Sequence, residues 1–386
     1  MPDGSTFAPI GLNERRERLA RLCALMDHAG LSAILVGSTK SLRYFTGLAW
    51  SPSERFTGAI LYSHGGIEYV CPAFEHSKVS GAIGIPGDIL TWEEEENPFA
   101  LIASRLNPNA RVALDDQVAH FVHIGLAQVL SSARIANAGP LINSLRRCKS
   151  AAEIALMARA KAITLEVQRR AWKGLTAGVM TSEVERFIDR EHRALGGSGN
   201  TFCIVSFGSD SALPHGGDTD RALVEGDVVL IDTGCQIDGY NSDITRTYVF
   251  GEPAPRMREI WALEKEAQAA AFEAAKLGAP CESVDAAART VITKAGLGPD
   301  YRLPGLPHRT GHGIGLDIHE APNLVRGDRT PLAPGMCFSN EPMIVVPDTF
   351  GVRLEDHFFM TETGPRWFTP PSHSLDAPFA NAPAFA

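Results

Sequence analysis

Apolar and polar positions alternate in two regimes along the chain, with the change near residue 148. In the first, Leu19, Leu22, Cys23 and Met26 recur at helical spacing behind a cap at Asn13, and Gly30 closes that helix. Apolar runs at Ser32–Val36, Gly58–Tyr62 and Ile67–Cys71 have the length of buried strands, the last two joined by the turn Ser63-His64-Gly65-Gly66. Phe99–Leu106 and Phe121–Leu130 read as helices, beside short strands at Arg111–Leu114 and Arg134–Ala136. This mixture predicts an α/β domain over residues 1–148. It carries no dense set of His, Asp or Glu, so an architectural role is expected of it.

The second regime begins with Ser150 and Glu153, spaced as a capping box, which open a helix to about Leu175. Ser182 with Glu185 opens another to about Leu195, and strand-like runs follow at Phe202–Phe207, Val228–Thr233 and Asp243–Phe250. The order then recurs, with helices at Met257–Leu277 and Val284–Ala295, a glycine-rich loop, and strands at Met336–Val346 and Val352–Met360. Leu223-x-x-Gly226 precedes Asp232 by the same interval at which Leu332-x-x-Gly335 precedes Glu341. Residues 149–369 are therefore expected to form an α+β domain of two helix, helix, hairpin units related by a pseudo-twofold axis. Each unit would contribute acids to a shared cleft. The tail 370–386, rich in Ala, Pro and Ser, is expected to be weakly structured.

Candidate chemistry gathers on the two hairpins. Asp238-Gly239 is a two-residue turn signal, and a loop at that dipeptide sets Asp232 opposite Thr245 and Asp243 opposite Gly234. Strand side chains alternate with period two, so Asp232 and Asp243 share one face. Like charges that close invite a cation between them. Cys235 falls on the other face by the same parity. In the second hairpin a five-residue loop, Pro347 to Gly351, would pair Val346 with Val352 and Met343 with Glu355, leaving Glu341 and Glu355 on one face. Between the hairpins lies a glycine-rich segment, His308 to Glu320, in which His312 and His319 are candidates, one for a metal and one for substrate. Asp232, Asp243, His312, Glu341 and Glu355 carry too many negative charges for one cation and suit a two-metal site with bridging carboxylates. These hard ligands favour manganese, and cobalt, iron or zinc are compatible.

Composition narrows the setting. With 386 residues, 44% of them hydrophobic, the chain can bury two cores, and a net charge of −9 without a long basic run argues against nucleic acid or an anionic membrane as partner. Seven cysteines, odd in number and without a C-x-x-C pair, argue against a disulfide framework and fit a reducing cytoplasm. No secretory signal and no membrane-length apolar segment is visible.

Four motifs carry a resemblance: Asp-x-Gly-x5-Tyr-x2-Asp-Ile-Thr-Arg-Thr at 232–247, Gly-His-Gly-Ile-Gly-Leu-x-Ile-His-Glu at 311–320, Asn-Glu-Pro at 340–342 and Gly-Val-Arg-Leu-Glu-Asp at 351–356. In this order they resemble the pita-bread metallopeptidases, and within them the Xaa-Pro peptidases (prolidase and aminopeptidase P). Tyr44-Phe45-Thr46-Gly47 resembles a motif of the creatinase-type amino-terminal domain that accompanies them. The resemblance implies two divalent cations, with Asp232 chelating one, His312 and Glu341 holding the other, and Asp243 and Glu355 bridging. It implies that Glu341 shuttles a proton, that His215 and His319 contact substrate and assist proton transfer, and that Arg353 belongs to the substrate site. Its guanidinium would pair with a carboxylate of either a ligand or the metal cage. The implied activity is cleavage before proline in short peptides by an Xaa-Pro dipeptidase; the alternatives are aminopeptidase P on longer peptides, a hydrolase of a non-peptide amide, and a pita-bread binding protein without turnover. A homodimer is implied as well. One departure is Ile237, where many Xaa-Pro peptidases carry tyrosine.

Overall fold

Ser150 caps the helix Ala151–Gly174 by accepting from Glu153 N while the Glu153 carboxylate returns to Ser150 N, the reciprocal box its spacing predicts. The computed structural model describes residues 8–385; residues 1–7 and 386, the outer ends of the expected domain and tail, lie outside them. The chain divides into two compact units, Ala8–Arg146 and the part from Arg147 onward.

The amino-terminal unit is built on a six-stranded sheet. Its spatial order is Asp88–Trp92, Ile67–Pro72, Gly58–Tyr62, Ala33–Val36, Val112–Leu114 and Ile135–Asn137. Gly58–Tyr62 pairs antiparallel with both its neighbours, and the other three pairings are parallel. The first helix, Leu12–Ala29, starts one residue ahead of the expected cap at Asn13, and Gly30 ends it in the left-handed conformation. Short helices at Lys40–Thr46, His76–Ala82 and Gly139–Arg146 and the edge strand Asp88–Trp92 were not predicted. Each is too short to show a period, and tertiary packing decides it.

The second unit consists of the two expected repeats. The first has helices Ala151–Gly174 and Thr181–Ala194 against a sheet of Phe202–Phe207, Val228–Gly234 and Ile244–Val249. The second has helices Pro255–Ala274 and Cys281–Lys294 against a five-stranded sheet that includes Gly311–Gly313, Cys337–Asn340 and Asp356–Thr361. Gln168 donates to the carbonyls of Ile231 and Ile244, and Gln268 donates to those of Asn340 and Leu354. Equivalent glutamines thus bind equivalent helices to equivalent hairpins. Gly226 and Gly335, whose matching offsets announced the repeat, both turn with positive φ, 87° and 83°. Ile163, Ile188, Ile231, Val284, Phe338 and Phe358 belong to one apolar core beneath both sheets.

Two local expectations are corrected. At the second helix no reciprocal box forms: Met180 N donates to the Glu183 carboxylate, while Ser182 turns its hydroxyl and amide to Asp220. The segment after Pro370 forms no helix or strand, yet it is not loose: Ser372, Leu375 and Phe379 are buried, Phe379 packs on Trp172, and Asp376 pairs with Arg258. Apolar anchors spaced among the prolines hold it down.

Candidate metal centre

The first hairpin has the register that Asp238-Gly239 predicts. Thr245 pairs with Asp232, Asn241 with Gln236 and Tyr240 with Ile237, while Asp238 and Gly239 take φ of 46° and 78°. Both central residues lie in the left-handed region, as the tight turn requires. Asp232 and Asp243 therefore project from one face. Cys235 turns the other way, into the core beside Thr164 and Ser242.

The second hairpin departs from its expected register by two residues. Met343 pairs with Arg353 and Val346 with Phe350, because Asp348 adopts a φ of 57° and closes a three-residue loop. A slip of two keeps parity, so Glu341 and Glu355 still share a face. Each predicted long strand is also broken at its acid. Pro342 has no amide proton to give the ladder, Glu341 N donates instead to Thr310 O, and Glu355 N donates to Thr245 O. The interruptions knit the second hairpin to the first hairpin and to the histidine segment. His312 sits on Gly311–Gly313, where a Cβ on Gly311 would lie 2.2 Å from Ser339 O, so glycine is what lets the imidazole strand approach.

These elements bring the five candidate ligands together. One ligand atom each from Asp243, His312 and Glu355 lies within 4.8 Å of the others. His312 Nε2 stands 3.1 Å from Glu341 Oε1 and 3.9 Å from Asp243 Oδ2. Its Nδ1 lies 3.0 Å from Gly313 O, and its Nε2 faces the acids. Asp232 Oδ1, Asp243 Oδ1 and Glu355 Oε1 are buried with no hydrogen-bond partner among the described residues. Burial, then the charges of Glu355, Asp232 and Glu341, push the Asp243 carboxyl far above its ordinary range. Burial, then Glu341 and Asp232, do the same to Glu355. Glu341 goes the opposite way: burial would raise it, but the His312 hydrogen bond and charge, with His308 and Arg353, hold it below the carboxylate range. Orphaned oxygens, mutual repulsion and one outward imidazole nitrogen are a donor set that divalent cations fit.

The remaining candidates surround this cluster. The His319 ring meets that of His312 edge-on at 4.2 Å, and partial burial, then the charges of His312 and Arg309, lower its pKa to about 4. His215 is exposed on the loop after Gly208–Ala212, and its charge also reaches His319. Of the two carboxylates open to Arg353, the structure gives it that of the cage. Nη2 donates to Asp232 Oδ2 at 2.6 Å, Nε to Thr245 Oγ1 and Nη1 to Pro214 O. At 4% exposure the side chain is buried and held by these partners. Ile237 is half-buried against the core.

Sequence reasoning passed over three groups here. Thr245 donates to Glu355 Oε2 at 2.8 Å and so orients a ligand. His357 is fully buried with Nε2 3.7 Å from Glu355 Oε1. Ser339 donates to Glu341 Oε1 and accepts from His312 N. All three stand two residues from a ligand, so the strand period that located the acids also marks them.

Comparison with known proteins gives the family. Residues 155–362 match metallopeptidase family M24, and residues 18–148 match the creatinase/prolidase N-terminal domain. The Xaa-Pro dipeptidase of Lactobacillus helveticus is 33% identical over 338 residues, 85% of this chain and 90% of the relative. The crystal structure of dipeptidase PepE from Mycobacterium ulcerans superposes with a TM-score of 0.87 at 33% identity, covering 95% of this chain and 99% of that one. A prolidase from Thermococcus sibiricus gives 0.86 at 29% identity, with coverage of 95% and 99%. From its paired repeats, its carboxylate and imidazole cluster and these likenesses together, the chain belongs to metallopeptidase family M24.

Proposed function

We propose that the chain is an Xaa-Pro dipeptidase with two divalent cations, manganese first among them, held by Asp232, Asp243, His312, Glu341 and Glu355. The observation that carries this reading is the set of buried carboxylate oxygens without donors gathered around His312. When bound, the cations would supply Lewis acidity to the scissile carbonyl and to water. Glu341, held ionised beside His312, is also suited to move a proton from water towards the departing proline nitrogen. The lowered pKa of His319 favours its neutral form, and His215 is exposed near it, so both are suited to hold the peptide and hand on a proton. Arg353 and Thr245 fix Asp232 and Glu355 in place.

The names of the Lactobacillus and Thermococcus relatives support proline as the residue after the cleaved bond. Seven free thiols support a reducing cytoplasm as its location. No helix among the described residues is long and apolar enough to cross a membrane. A homodimer is part of the same reading, and light scattering of the purified protein tests it. The activity test is a series of Ala-Pro, Ala-Pro-Ala and Ala-Pro-Ala-Ala with manganese-loaded protein. Dipeptide turnover that Asp243→Ala abolishes is the expected result; preference for the longer peptides would make the enzyme an aminopeptidase P, and unchanged turnover in the variant would overturn the mechanism.

A further inference from the structure

A dipeptide carries a free carboxylate one residue beyond the bond to be cut, and a site that selects dipeptides needs a cation for it. Most cations around the cleft are already engaged. Arg353 is bound to Asp232, Arg246 to Asp356, Lys149 to Glu320 and Arg289 to Asp285. Lys161 is wholly buried and donates to Asn241 O.

Arg309 differs. It is half-buried, and among the described residues no carboxylate lies within ion-pair distance of it. Its one hydrogen bond runs from Nη1 to the neutral amide oxygen of Asn323, at 2.9 Å. Asn323 pairs across the strands with His312, so its side chain emerges on the same sheet face as the imidazole. Arg309 thus sits at the His312 side of the cluster, and its charge is felt by His319. An amide oxygen orients a guanidinium without neutralising it, and the fork geometry of arginine matches a carboxylate.

We propose that Arg309 is the specificity residue of this site, seated by Asn323 to receive the terminal carboxylate of a dipeptide. The inference rests on the peptidase reading above and goes beyond it by naming what makes the site prefer a peptide ending one residue after the cleaved bond. The bland role for the same pair is a brace between two strands, which would treat charged and neutral substrates alike.

The test compares wild type, Arg309→Ala, Arg309→Lys and Asn323→Asp on Ala-Pro and Leu-Ala, each beside its carboxy-terminal amide, with bound manganese measured for every protein. Wild type should prefer the free acids. Arg309→Ala should lower kcat/KM for the acid by about 10- to 100-fold more than for the amide, mainly through KM, as loss of a charge-assisted bond implies. Arg309→Lys should restore part of that preference. Asn323→Asp, which supplies an internal carboxylate to the guanidinium, should lower it with Arg309 still present. Equal losses on acid and amide, or a wild type indifferent to the carboxylate, would overturn the proposal. Cleavage of Leu-Ala but not Ala-Pro would overturn the proline reading alone, since the acid-to-amide ratio on Leu-Ala still decides the role of Arg309. Cleavage of neither dipeptide would overturn both.

Discussion

Asp243→Asn should stabilise the metal-free protein while removing its response to metal. Asp243 and Glu355 hold carboxylate oxygens within 4.8 Å of each other, and each has one buried oxygen without a donor among the described residues. Two unit charges at that separation repel by about 3 kcal/mol at an effective dielectric constant near 20. Both carboxyls are pushed above their ordinary range, first by burial and then by one another's neighbours. A raised carboxyl binds its proton more tightly in the folded state. Its stabilising contribution is therefore complete below the unfolded pKa of about 4 and is lost as pH rises through the folded value. Chelator-treated wild type should melt lower at pH 8 than at pH 5.5. Asp243→Asn should shallow that slope and melt several degrees above wild type at pH 8, the equivalent of about 3 kcal/mol in a unit of this size. Added manganese should raise wild type strongly and the variant little, since binding stabilises only through the folded site. Calorimetric melts with chelator and with manganese at the two pH values read all of this. A metal-free variant that melts below wild type at pH 8, or a wild type without the slope, would refute the argument that the cage is strained by its own charge.

Other perturbations follow from neighbouring contacts. Glu264 is fully buried with neither oxygen hydrogen-bonded among the described residues, and burial raises its carboxyl well above the usual range. Glu264→Gln should leave stability near pH 4 unchanged and raise it increasingly towards pH 8, which denaturant titrations at both pH values would show. Arg246 and Asp356 form a fully buried ion pair at 2.7 Å, so Asp356→Asn should cost about 3–5 kcal/mol by stranding the guanidinium. The double change Arg246→Met with Asp356→Leu should recover most of that stability but weaken manganese binding, because Arg246 also donates to Glu355 O. Thr245→Val removes the donor to Glu355 Oε2 and the acceptor for Arg353 Nε. It should lower manganese affinity by about 10- to 100-fold in a direct titration, with the melting temperature of the chelated protein little changed.

How far the sequence reveals this arrangement depends on whether a residue's place is governed locally. Asp238-Gly239 specifies a turn whose backbone few other residues adopt, so the register of the first hairpin follows from two letters. Pro347-Asp348-Thr349 is less restrictive, and the loop closed two residues tighter than read. The acids kept their common face only because the period of a strand is two. Arg353 was open to a ligand or the cage because nothing local distinguishes them; Asp232 lies on a different hairpin, and only the packed repeats bring them to 2.6 Å. Glu264 was invisible for the same reason. On its helix it is one more polar position, and the absence of partners is a property of the assembled interior. The short amino-terminal helices escaped because seven residues cannot display a helical period.

The claim on which the rest depends is that five side chains from two hairpins and the histidine segment hold two cations. Titrating chelated protein with manganese in a calorimeter, with stoichiometry confirmed by native mass measurement, tests it most directly. The account predicts two manganese ions per chain in the wild type and no more than one in Glu355→Gln. A wild type that binds one ion or none would contradict it.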